Sequence, residues 1–115
     1  MLLAIWAKRV GPLPRAVVHC RTTEDVQLSI AIARDCELPL SVRGGGHDWA
    51  GRALCAVIVI DLSDMNGVSV DADHRSAIFS GGARAADVAP VTDPLHIAAM
   101  GTCSAVGMPC NILVI

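Results

Sequence analysis

The sequence predicts an α+β fold, a small βαβ unit followed by a mixed or antiparallel sheet with helices. Three observations carry this expectation. A strand, a helix and a second strand follow one another between Ala16 and Arg43. Val57-Ile58-Val59-Ile60-Asp61 is an unbroken run of β-branched residues ending in a carboxylate, the pattern of a central strand covered on both faces. Val68-Ser69-Val70 and Ala77-Ile78-Phe79 flank the polar turn 71–75, which reads as a hairpin.

Each element has a local cause. Gly11-Pro12-Leu13-Pro14 is a loop, and Ala16 to Cys20 is a short apolar strand. Thr22-Thr23-Glu24-Asp25 starts a helix, with a threonine cap and acids at the positive end of the dipole. Val26, Ile30 and Ala33, with Leu28 and Ala31 nearby, give it an apolar face through about Asp35. Pro39 lies just beyond, and Leu40 to Arg43 is the second strand. Leu62 to Gly67 turns the chain into the hairpin, which Gly81-Gly82 ends. Ala83 to Val88 begins a helix that Pro90 is expected to interrupt. Beyond Thr92 the pattern weakens. Gly101 to Gly107 is a small-residue loop, and Met108 to Ile115 is apolar without a clear period.

Composition narrows the function. The 115 residues, 1–115, allow one domain at most, and 53% are hydrophobic against 17% charged, enough to build a core. A net charge of −2, no basic stretch and only Trp6, Trp49 and Phe79 as aromatics argue against nucleic acid as a partner. The five cysteines lack C-x-x-C spacing, so no metal site is expected. No run is long enough for a membrane span, and the apolar start is too short for a secretory leader. The expected location is the cytoplasm.

Chemistry concentrates in Arg43-Gly44-Gly45-Gly46-His47-Asp48-Trp49-Ala50-Gly51, at the end of the second strand. Glycines let backbone N–H groups approach an anion and adopt positive φ. The carboxyl end of a strand is where open α/β sheets take their ligands. Arg43 adds a planar cation, and His47 follows the loop. The stretch is neither a dinucleotide fingerprint nor a Walker loop. Taken alone, it reads equally well as a tight turn. Asp61 and Asp64 read as a strand-end and a turn aspartate, and His19, His74 and His96 as bystanders.

Arg43 to Gly51, followed by Val59-Ile60-Asp61-Leu62-Ser63-Asp64-Met65-Asn66-Gly67, resembles the PCMH-type FAD-binding domain of the vanillyl-alcohol oxidase / p-cresol methylhydroxylase superfamily. The berberine bridge enzyme-like oxidases are the nearest branch. Gly81-Gly82-Ala83 with Asp87-Val88, and Gly101-Thr102-Cys103 with Val106-Gly107, match later segments. The resemblance implies FAD as cofactor. It implies cofactor contacts from Arg43, Gly44, Gly45, Gly46, His47, Asp48, Gly51, Gly101, Thr102, Cys103, Val106 and Gly107. It places a pyrophosphate on the loop 43–47, a bond from His47 to the flavin 8-methyl carbon, and a second from Cys103 sulfur to flavin C6. Against this, His47 also reads as a residue that only caps the loop or contacts phosphate, and Cys103 reads equally as a small buried hydrophobe.

After Gly107 the sequence departs from the family, with Pro109, Cys110 and Asn111 where a further glycine-rich stretch is expected. The substrate domain and the usual catalytic base have no counterpart. The resemblance therefore implies an incomplete FAD-binding portion of an oxidase, with no turnover of its own. The complete protein would oxidise an alcohol, sugar or similar small-molecule donor with oxygen as acceptor. The alternative is a non-catalytic or vestigial flavin-binding piece.

Overall fold

The computed structural model describes residues 13–46, 51–71, 73, 76–95 and 112–114. In chain order these form β1 (Ala16–His19), α1 (Thr23–Asp35), β2 (Leu40–Arg43), β3 (Ile58–Asp61), β4 (Val68–Val70), β5 (Ser76–Phe79), α2 (Ala85–Thr92), a 3₁₀ turn (Asp93–Leu95) and β6 (Ile112–Val114). The expected α+β class holds, with one parallel and one antiparallel three-stranded sheet.

The first sheet has the order β1-β3-β2. The strands joined by α1 are therefore not neighbours, because β3 enters between them and pairs parallel with both. Val59, Ile60 and Asp61 of β3 are buried, as its β-branched run requires. The register aligns His19, Asp61 and Arg43 in one row across the carboxyl ends of all three strands.

Helix α1 begins where its cap dictates. Thr22 is extended, and its hydroxyl accepts from the Asp25 amide at 3.1 Å. The Asp25 carboxylate reaches back to accept from the Thr22 and Arg21 amides at 3.1 and 2.9 Å. This reciprocal box satisfies amides that the first turn leaves without partners. Those backbone donors, Arg21 first, hold the Asp25 carboxyl below its ordinary range. The helix ends at Cys36, with Glu37 in the left-handed region at φ 53 and Leu38 N–H donating to the Ala33 carbonyl at 2.8 Å. That is a glycine's usual position, filled here by glutamate. The apolar face is narrower than expected. Ala33 is buried, but Leu28, Ile30 and Ile32 remain exposed.

The second sheet has the order β4-β5-β6, antiparallel throughout. Its hairpin matches the sequence expectation, and the Ser76 hydroxyl closes it by donating to Asp71 at 2.7 Å. Strand β6 was not anticipated. An apolar end without a period becomes a strand because β5 offers it a free edge. Phe79, Ala83 and Val88 form the core here, with Val68 packed against them.

Pro90 does not interrupt α2, which runs through it to Thr92 and on into the 3₁₀ turn. A proline removes one N–H bond, here the one to the Ala86 carbonyl, and Ala86 is exposed. The helix starts at Ala85 rather than Ala83. Arg84 is extended, and its amide donates to the Asp87 carboxylate at 2.8 Å.

Candidate flavin site

The glycine stretch leaves the sheet at the carboxyl end of β2. Gly44 follows Arg43 directly, and Gly46 is buried with φ 70, a conformation that costs an L-residue about 1–2 kcal/mol. Among the described residues, no backbone carbonyl accepts from the Gly44, Gly45 or Gly46 amides outside the strands. Consecutive glycines at a strand's carboxyl end, one of them buried and left-handed, can turn backbone amides toward an anion.

The second sheet meets this loop. A Cβ built on Gly44 would stand 3.0 Å from the Gly81 carbonyl oxygen. The turn after β3 is bonded to both segments. Leu62 N–H donates to the Arg43 carbonyl at 2.9 Å, and Gly82 N–H to the Met65 carbonyl at 3.0 Å. The two glycine segments that the sequence shows far apart thus share one wall.

Beneath the loop lies a charged row. Asp61 is wholly buried and its carboxylate is saturated. Oδ1 accepts from Arg43 Nη1 at 3.1 Å and from the Ser63 amide at 3.2 Å. Oδ2 accepts from the Ser63 hydroxyl at 3.0 Å and lies 3.3 Å from His19 Nδ1. The Arg43 side chain is 13% exposed and that of His19 40%. A buried carboxylate survives only if paired and hydrogen-bonded, and here all its acceptor sites are used.

One sequence reading changes accordingly. His19 is a partner of Asp61 rather than a bystander. Asp61 is the strand-end aspartate expected, and it is also the hub of the row. No local pattern marked either residue, because the row exists only once β3 is inserted between β1 and β2. Asp64 stays a turn residue, 3.6 Å from exposed Arg21.

Of the expected cofactor residues, Arg43, Gly44, Gly45, Gly46 and Gly51 are described, and Gly51 also has a left-handed φ of 71. Arg43 directs its guanidinium to Asp61. His47, Asp48, Gly101, Thr102, Cys103, Val106 and Gly107 lie outside the described residues, as do His74 and His96. No group of three metal-ligating side chains occurs among the described residues. No helix among them is long and apolar enough to cross a membrane.

A family model for the FAD binding domain matches residues 14–111. The chain belongs to this family. Its cofactor is FAD, and the resemblance to a PCMH-type FAD-binding domain, read from the ordered segments together, is borne out. The chain is 35% identical over 105 residues to the FAD-linked oxidoreductase hasG of Aspergillus fumigatus, a match spanning 90% of this chain and 22% of that protein. The crystal structure of 6-hydroxy-D-nicotine oxidase from Arthrobacter nicotinovorans superposes with a TM-score of 0.80 at 30% identity. That match covers 91% of this chain and 24% of the other. Glucooligosaccharide oxidase from Acremonium strictum, whose FAD is described as 6-S-cysteinyl, 8α-N1-histidyl, superposes at 0.72 with 29% identity. There the match covers 82% of this chain and 21% of that one. The chain thus spans about a fifth to a quarter of the length of these relatives.

Proposed function

We propose that this chain is the cofactor-holding part of an FAD-linked oxidase acting on an alcohol, sugar or similar donor, with oxygen as acceptor. The carrying observation is the loop 44–46, with its left-handed Gly46, at the carboxyl end of β2. Its amides would hold the pyrophosphate, and the Gly81 side would close the wall. Bound FAD supplies two-electron oxidation of a donor. The chain's own residues bind and orient that group. Gly46→Val forces a β-branched side chain into φ 70 and should weaken FAD binding at least about tenfold. Fluorescence titration checks this, and unchanged affinity would remove the loop from the site.

The proposal extends to a covalent tether at His47 and Cys103. A relative with a cysteinyl, histidyl flavin supports it. So does the matching of both positions to the family pattern. Tethering prevents cofactor loss and raises the flavin potential. The FAD-loaded protein should retain flavin after denaturation. His47→Ala and Cys103→Ala should each keep it, and the double variant should release it. Release from the unsubstituted protein would refute the tether while leaving FAD binding intact.

A further inference from the structure

We infer that Asp61 is a positioning residue for the flavin site, holding Arg43 and thereby the first residue of the glycine loop. The inference rests on the proposed pyrophosphate site and adds a residue to it. Three observations carry it.

The first is saturation. Both Asp61 oxygens are engaged, by Arg43, His19 and both donors of Ser63, in a side chain with no exposure. Such a carboxylate has no acceptor site left for a ligand, and its charge would repel a phosphate. It therefore acts through the groups it holds.

The second is location. The row His19–Asp61–Arg43 spans the carboxyl ends of the three parallel strands, at the last residue of each. The loop departs from this row.

The third is double anchoring. The Arg43 carbonyl accepts from Leu62 N–H at 2.9 Å while its guanidinium is held by Asp61 at 3.1 Å. The side chain of the residue before Gly44 is thus fixed to the last residue of β3, and its backbone to the residue that follows. A glycine loop has no side chains with which to fix itself, and its conformational entropy is the cost of ordering it. Anchoring its first residue lowers that cost before the ligand arrives, which raises affinity without adding a ligand contact.

The arrangement also sets the charge beneath the loop. The Arg43 cation is balanced by Asp61, so the loop amides and not a free cation are left to select the pyrophosphate. Removing the Asp61 charge releases the guanidinium from β3.

The test compares the 115-residue chain and its variants by titration with ADP and with adenosine, which differ by the pyrophosphate. The ratio of the two affinities isolates the loop from the nucleoside contacts, and circular dichroism checks the fold. The unsubstituted chain should prefer ADP. Asp61→Asn should cut the ADP preference at least about tenfold, and Asp64→Asn should leave it unchanged. If Asp61→Asn does not fold, His19→Gln decides. Its partly exposed side chain removes one of the four Asp61 contacts and should reduce the ratio about threefold. A full ADP preference in a folded Asp61→Asn chain, or in His19→Gln where that variant decides, would overturn the positioning role alone. No ADP preference in the unsubstituted chain would overturn the pyrophosphate site and, with it, this inference.

Discussion

Gly82→Ala is expected to unfold the chain or lower its stability by more than about 3 kcal/mol, the upper end of ordinary overpacking. A Cβ at Gly82 would overlap the Leu62 carbonyl oxygen and carbonyl carbon. Both are backbone atoms, so no rotamer change relieves the clash. The Met65 carbonyl is 3.1 Å away on the same side, and it already accepts the Gly82 amide at 3.0 Å. Moving the turn breaks that bond and draws Leu62 from Arg43. A local methyl group thus disturbs the second sheet, the turn after β3 and the loop together. Gly67→Ala is the control, since a Cβ there comes no closer than 3.6 Å, to the Ser80 hydroxyl oxygen. Thermal melts of the two variants should separate clearly. Equal melting temperatures would show that the 80–83 turn can shift without cost.

Arg43→Met should cost about 3–5 kcal/mol, because it leaves the buried Asp61 charge without its guanidinium. His19 lies 3.3 Å away on the other side but is 40% exposed, and its charge exists only when protonated. The double variant Arg43→Met, Asp61→Leu removes both charges and fills their space with apolar groups. It should recover most of the lost stability, as buried ion pairs replaced together often do. Denaturant unfolding of the two singles and the double closes the cycle. An additive result would show that the two side chains do not depend on one another.

The sequence was informative wherever a residue acts on its neighbours. The Thr22–Asp25 box starts α1 because a threonine hydroxyl and a carboxylate three residues on satisfy amides within one turn. The run at 57–61 reads as a buried strand because β-branched side chains have no other favourable setting without polar neighbours. Gly44 to Gly46 read as a glycine turn at a strand end, open to an anion or to a tight turn alike, and the ordered motifs around it pointed to FAD. The helical face was over-read, since Ile30 keeps its period yet stays exposed. Pro90 was over-read in the opposite sense, because a proline's local penalty is tolerable where the lost acceptor lies at an exposed residue.

By itself the sequence determined the α+β class, the strands β1 to β5, the cap of α1, the glycine loop and the FAD family, all set by contacts within a few residues or by ordered motifs. The tertiary structure alone decided that β3 enters between β1 and β2. It also decided that β6 completes the second sheet, that Gly44 faces Gly81, and that His19, Asp61 and Arg43 form one row. The reason is the range of the interaction. Strand order and cross-strand rows join residues separated by loops, and their free energy comes from burial and from satisfying the Asp61 carboxylate. Neither leaves a periodic trace along the chain.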